Sequence, residues 1–438
     1  MKKITIVTLL LSSIVALGCS NKANNGSKKD KYEFKYTTYK PGEAVDISFN
    51  FEYDLNDFDK DGTTFNKSIA SLSFVQAVNA ANKASIASVY NKLGFSNITY
   101  SSDFDLPEDK DTIKFTIAHK ECSDYELISV TTNGVNYSKP WENNFILGTE
   151  GDAEGFVIGA NKVVSDIKNY LSNYSEKVIK LWITGYSRSA AISNIAAYRL
   201  IDEGVIEEKN MFAYTFEAPR AVSDSNTKEY KSIFNILSNA DLVTYVAPRA
   251  YGFKRAGIDI DLYNSKIDKW LKQIDNRWRL PTFTSDTKYS NEAEMLDYLF
   301  NTVMVKPIEQ EDFHDLSTRE NYVTYYQDNI SYLISLIFSL KSKTMNDLAD
   351  KFSNASTLEL FSLLEEDGVY NFIKPVLDSN AESYDDEKLK TSTNLLMNYV
   401  KNNGDLAALA IAANPRNNLL RSLEFHYPET VLVLLMNY

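Results

Sequence analysis

The period of the hydrophobic pattern changes several times along the chain, and each change marks an element. Weak alternation over Tyr32 to Tyr53 predicts an extended N-terminal segment. From Asn66 to Leu93, Ile69, Leu72, Phe74, Val75, Val78, Ile86, Val89 and Leu93 recur at helical spacing and predict one or two packed helices. Thr112 to Ala118 and Tyr125 to Thr132 alternate as two strands joined by a short turn. Gly151 to Asn173 places Phe156, Val157, Ala160, Val163, Val164, Ile167 and Leu171 on one broad helical face. An apolar, β-branched run from Val178 to Ile183 then stops at Gly185. An Ala-rich amphipathic pattern begins at once and lasts to Gly204, a residue suited to the position after a helix end. Met211 to Phe216 and Ile233 to Leu237 read as two further short strands.

Strands alternating with helices imply an α/β fold. The sheet should be mostly parallel with right-handed crossovers, and functional residues should gather at the carboxyl ends of its strands. After Tyr263 the pattern changes. Ser265 to about Leu420 is helical and acidic, with apolar stripes over Tyr322 to Leu340, Leu348 to Leu364 and Leu389 to Val400, broken by Gly368 and Pro375. Such stripes are what packed helices need, so the segment is expected to be an all-helical insertion covering the sheet edge rather than a cofactor box. In the last segment His426 precedes a helix opened by Pro428 and Glu429. A histidine on that loop can reach back over the sheet.

At the other end, Lys2 and Lys3 precede an apolar run too short to span a bilayer, ending in Ala16-Leu17-Gly18-Cys19. This resembles the lipobox of bacterial lipoproteins, which implies lipidation of Cys19 and an extracytoplasmic protein of the bacterial envelope held to a membrane by acyl chains. The polar residues that follow read as a tether. The expected organisation is a signal peptide over 1–18, a tether over 19–32, an α/β core over 33–264, a helical cap over 265–420 and a core segment over 421–438.

Composition narrows the function. A 44% hydrophobic, 13% aromatic chain of this length can bury a sizeable core. The net charge of −13 becomes −15 once Lys2 and Lys3 leave (44 basic against 59 acidic residues), and such a surface repels nucleic acid. With Cys19 lipidated, Cys122 has no partner for an internal disulfide. His119, His314 and His426 lie too far apart in sequence for metal-ligand spacing, so no metal is expected.

The stretch Gly185-Tyr-Ser-Arg-Ser189 joins strand to helix by a sharp turn with Ser187 at its apex. Such an elbow lifts a hydroxyl clear of the sheet edge and aims the next backbone N–H groups and the helix N-terminus at it. A bland alternative is a structural turn in which Ser187 merely caps the helix. A serine nucleophile needs a base, and the base an orienting carboxylate. In chain order the sequence offers Ser187, then Asp241 directly after a strand, then His426, the order of the α/β-hydrolase topology. His119 precedes the nucleophile, and His314 falls inside the expected cap. Asp259 and Asp261 alternate with apolar neighbours and read as a solvated strand face.

These residues resemble the class 3 lipases and their bacterial lipase-like relatives. Leu181-Trp-Ile-Thr-Gly-Tyr-Ser-Arg-Ser-Ala-Ala191 is similar to the family's T-G-H-S-x-G-G-A elbow, Thr215-Phe-Glu-Ala-Pro-Arg220 to its T-F-G-A-P-R, and Asn239-Ala-Asp-Leu-Val243 to its N-x-x-D-x-V. His426-Tyr-Pro-Glu-Thr430 resembles the terminal histidine segment of the bacterial branch. The resemblance implies a Ser187–Asp241–His426 triad and an oxyanion hole built from the backbone N–H groups of Arg188 and a residue near Val135. It also departs from the family: Asn133-Gly134-Val135 stands for R-G-T, Tyr186 for the elbow histidine and Ser189 for glycine.

The reading that follows is a surface-anchored serine esterase or lipase, cleaving acylglycerol or other lipid esters without a cofactor. Its rivals are a lipase-fold lipoprotein with weak or no catalysis that binds lipid or an envelope partner, and a serine peptidase or amidase on the same fold.

Overall fold

The computed structural model describes residues 29–37, 46–107, 112–133, 140–174, 177–274, 280–283, 289–406 and 421–438. The expected signal peptide, Cys19, most of the tether and Val135 lie outside the described residues.

The N-terminal segment is an antiparallel hairpin of β1 (Asp30–Thr37) and β2 (Asp46–Tyr53), with the Tyr32 and Phe51 rings stacked 5.5 Å apart. Two helices follow, α1 (Lys67–Asn79) and α2 (Lys83–Lys92), each capped by an asparagine, Asn66 or Asn82, whose side chain accepts from first-turn amides. The central sheet is then assembled from β3 (Ser96–Tyr100), β4 (Phe115–Glu121), β5 (Tyr125–Thr132), β6 (Val178–Tyr186), β7 (Met211–Phe216), β9 (Ile233–Leu237) and β11 (Ile258–Asp261), while β8 (Val222–Ser223) and β10 (Phe253–Lys254) form a separate short ladder. Across the sheet the order is β11-β9-β7-β6-β5-β4-β3. The four pairings from β5 to β11 are parallel, and β3 and β4 add an antiparallel edge. This is the mostly parallel α/β sheet that the alternation of strands and helices implies. β3 gave little signal in the sequence because it has only five residues, of which Ile98 and Tyr100 alone turn to the core, and both only partly.

Helices α3 (Glu154–Leu171) and α4 (Arg188–Asp202) cover one face of the sheet; α1, α2 and the C-terminal helix Pro428–Asn437 cover the other. Strand β6 divides its side chains between the two cores. Leu181 and Ile183 point towards α3 and α4, Trp182 and Tyr186 towards α1 and the C-terminal helix. Both faces are dry, so the strand reads as a continuous apolar run. The Trp182 ring packs 4.9 Å from Phe58, and its indole N–H donates to Ser73 Oγ at 2.7 Å.

Beyond β11 the described chain is helical. Of the two expected helix breakers, Gly368 does fall at a break, between the helix Thr357–Ser362 and the next, whereas Pro375 lies inside that next helix, Gly368–Ser379. A proline removes one backbone donor, and Phe372 and Leu377, buried against neighbouring helices, hold the segment helical despite that. The helical segment also grips the loop before α3. Arg319 donates to the carbonyls of Leu147, Gly148, Glu150 and Gly151 and lies over the Phe253 ring, while the Tyr322 hydroxyl donates to the Phe145 carbonyl at 2.7 Å.

Replacing a fully buried aromatic in such a core leaves a cavity that neighbours fill only partly. Trp182→Ala should therefore lower unfolding stability by about 3–5 kcal/mol, measured by denaturant titration followed by circular dichroism. A loss under about 1 kcal/mol would show that β6 is not the centre of the packing.

Candidate active site

Strand β6 ends at Tyr186, and the chain turns into α4 through a residue with φ 57° and ψ −128°. That residue is Ser187. A side chain in this region of backbone space costs roughly 1–3 kcal/mol and persists only where the surroundings impose it. Here the Ser187 N–H donates to the Phe216 carbonyl at 2.8 Å, locking the turn to the adjacent strand end, while the Ser187 carbonyl accepts from Ala190 and Ala191. Gly185 makes room, since a Cβ there would lie 2.4 Å from Thr132 Oγ1 and 2.6 Å from the Ser189 carbonyl. Ser189, which stands for glycine in the motif, is an ordinary helical residue. Its hydroxyl donates to the carbonyls of Thr132 and Tyr186, tying β5 to the elbow. The strain sits on Ser187 instead.

His426 occupies the turn before the C-terminal helix, its N–H donating to the Leu423 carbonyl. The Tyr186 hydroxyl donates to the His426 carbonyl at 2.8 Å, so the residue that replaces the family's elbow histidine clamps the loop carrying His426. The imidazole bridges two groups: Nδ1 is 2.6 Å from Asp241 Oδ2 and Nε2 is 2.8 Å from Ser187 Oγ. Asp241 is fully buried, and its Oδ1 accepts from the Val243 N–H at 2.9 Å, which aims Oδ2 at the ring. With Nδ1–H donating to the carboxylate, Nε2 keeps a lone pair and the serine hydroxyl donates to it.

Arg188 supplies the first amide of α4, next to Ser187. Its side chain reaches away, donating to Asn144 Oδ1 at 3.0 Å and the Gly155 carbonyl at 2.7 Å. The remaining candidates sit elsewhere. His119 pairs with Glu126 at 2.5 Å, and His314 stacks 3.7 Å from the Tyr325 ring. Asp259 is held by Arg255 and Asn235. Burial pushes its carboxyl up, but the guanidinium and the amide outweigh that and leave it below the usual carboxylate range. Asp261 accepts from Asn239 and Tyr263.

One residue of the site was not anticipated. Glu217 follows β7 where the family pattern has glycine, and it keeps a backbone suited to glycine, with φ 47°. Its buried carboxyl accepts from the Ser238 N–H at 3.1 Å and is hydrogen-bonded to Asp241. Burial first, then the charge of Asp241 and the hydrogen bond to it, hold the Glu217 carboxyl well above the ordinary range, with a smaller contribution from Asp261. A shift in that direction favours a proton on Glu217, from which it can donate to Asp241. The signal in the sequence was the substitution of an acid for glycine at a motif position.

The family model described as Lipase (class 3) matches residues 126–251, a span that contains Ser187, Glu217 and Asp241 but not His426. Among solved structures the chain is similar to a fungal lipase–inhibitor complex, at 16% identity over 45% of this chain and 80% of that one, with a TM-score of 0.34. It is also similar to the Lip2 lipase of Yarrowia lipolytica, at 12% identity over 48% and 80%, with a TM-score of 0.32. No curated protein matches. Over residues 126–251 the chain is thus similar to the class 3 lipases, within a mostly parallel α/β sheet.

Because the folded state keeps a proton that an exposed glutamate loses above pH ~4.5, Glu217 costs stability as pH rises beyond that value, with a slope approaching 1.4 kcal/mol per pH unit. Glu217→Gln should flatten the fall in unfolding free energy as pH rises above ~4.5. Identical slopes for the two proteins would show that Glu217 is ionised in the fold.

Proposed function

We propose that the protein is a serine carboxylic ester hydrolase. The observation that carries this reading is the pair of contacts made by one imidazole, 2.8 Å to Ser187 Oγ and 2.6 Å to Asp241 Oδ2. In the proposed cycle Ser187 Oγ attacks the ester carbonyl as its proton passes to His426 Nε2. The resulting imidazolium is stabilised by Asp241, whose charge is held in place by Val243 N–H and the Glu217 carboxyl. His426 returns the proton to the departing alcohol. Water, deprotonated by the same nitrogen, then releases the acyl group.

The oxyanion would face the Arg188 N–H and the positive end of α4, with a second donor near Val135. Preorganised amides of this kind supply much of the rate in acyl transfer, each worth about 10²–10³-fold.

The substrate would be a lipid or acylglycerol ester. An apolar cavity of about 80 Å³ supports this, lined by Leu147, Val246 and Ala247 from the core side and Met304, Leu316 and Ile330 from the helical segment. Asn144, the partner of the Arg188 side chain, also lines this cavity. The helical segment would thus wall the acyl site and exclude water. Lipidation at Cys19 would hold the enzyme on the outer face of a bacterial membrane, close to such substrates.

A series of p-nitrophenyl esters from acetate to palmitate tests this reading. Ser187→Ala and His426→Ala should each lower kcat by on the order of 10⁴–10⁶-fold, the double variant losing little more, because the members act as a unit. Asp241→Asn should lose about 10⁴-fold while staying folded. Near-normal turnover in a folded His426→Ala variant would overturn the assignment.

A further inference from the structure

A second cavity, of about 460 Å³, lies beside the segment that carries Asp241 and has no part in the proposed cycle. Asn239 and Tyr245, on either side of Asp241, form part of its wall, and Ala293 and Asp297 of helix Glu292–Tyr298 close another side. Its lining includes Arg220, Arg249, Lys254 and Arg255, against which stand Asp259 and Asp297, an excess of two positive charges. In a chain of net charge −13 this is a local reversal of sign.

The cations are unequally neutralised. Arg255 is fully engaged, with Asp259 at 2.8 Å and the carbonyls of Ala218 and Thr244 both at 2.9 Å. Arg220 is 8% exposed, yet its guanidinium donates to the Tyr245 carbonyl at 3.3 Å and lies over the Tyr245 ring. Among the described residues no carboxylate lies within ion-pairing distance of it. Burial, followed by the like charges of Arg255 and Arg249, brings its guanidinium down to about 10. Arg249, at the mouth, makes one exposed contact with Asp297 at 3.3 Å. A buried guanidinium is costly unless a counter-charge and further hydrogen bonds satisfy it. Here the fold leaves both to be supplied from the cavity.

We propose that this cavity binds a phosphomonoester dianion. A phosphomonoester carries about −1.5 to −2 charges at neutral pH, which matches the excess, whereas a carboxylate would leave half of it. Its oxygens suit the paired donors of Arg220 and Arg249, with Lys254 as a further point charge. The cavity falls in the range of small-molecule sites and leaves room for an organic group beyond the phosphate. The occupant would bridge the Asn239–Tyr245 segment to the helix bearing Asp297. The site is independent of the hydrolase reading and stands or falls separately from it.

Calorimetric titration of the full-length protein with glycerol 3-phosphate, with glycerol and sodium chloride as controls, tests the proposal. Saturable binding with Kd on the order of 10–1000 µM is expected, absent with glycerol. Arg249→Gln combined with Lys254→Gln should weaken it at least tenfold, a change of about 1.4 kcal/mol. These side chains are less buried than Arg220, so the double variant avoids emptying the core; Arg220→Gln should act in the same direction, and Arg220→Lys should retain part of the affinity. A second arm uses dihexanoyl phosphatidic acid: binding of this lipid with the same dependence on Arg249, but not of glycerol 3-phosphate, would assign the phosphate to a lipid headgroup. No saturable binding of either compound, or binding that Arg249→Gln with Lys254→Gln leaves unchanged, would overturn the proposal.

Discussion

The backbone at Ser187 is the constraint on which the rest of the site depends. A strand must stop, reverse into a helix within one residue, and hold a non-glycine residue at positive φ. Nothing local favours this. Its cost is offset by groups brought from far away, the Phe216 carbonyl that receives the Ser187 N–H and the Thr132 carbonyl that receives the Ser189 hydroxyl, while the bare Cα of Gly185 lets the Thr132 hydroxyl and the Ser189 carbonyl approach. The central strands β5, β6 and β7 are thereby registered to one another at their carboxyl ends. The same registration decides where Asp241 and the His426 loop can sit.

A second theme is the management of charge in a dry place. Asp241 is fully buried and faces the imidazole with one oxygen. An isolated carboxylate there would be costly, and the fold answers with an amide from Val243 and a protonated carboxyl from Glu217. Glu217 trades the conformational ease of a glycine for a hydrogen bond to the acid. On the other side of the same segment the sign is inverted, with Arg220 buried among like charges and Arg255 spent on Asp259. The Asn239–Tyr245 stretch therefore runs between an acidic pair and a basic cavity, and both depend on its exact course being kept.

Much of the sheet was legible because its central strands are buried on both faces, so that β6, β7 and β9 appear as apolar runs with abrupt ends. The edges were harder. Strand β3 is only five residues long, and β11 is four residues in which isoleucine alternates with aspartate. The position of Ser187 could be read from the run that stops at Gly185, and Asp241 from the strand before it. Chain order suggested His426, but only the fold brings it across 239 residues to the serine. Tyr186 stood only as a departure from a motif and Glu217 was not singled out; their contacts, to the His426 carbonyl and to Asp241, are long-range and leave no periodic trace in a sequence. Pro375 misled because propensity yields to packing once the neighbouring turns are buried.

The account's central claim is that His426 turns the Ser187 hydroxyl into a nucleophile. Reaction with a fluorophosphonate, followed by peptide mass spectrometry, measures this without any assumption about the natural ester. The account predicts a single adduct on the Ser187 peptide, formed in wild-type protein and lost in a folded His426→Ala variant. An adduct that forms equally fast without His426, or that maps to another residue while Ser187 stays unmodified, would contradict it.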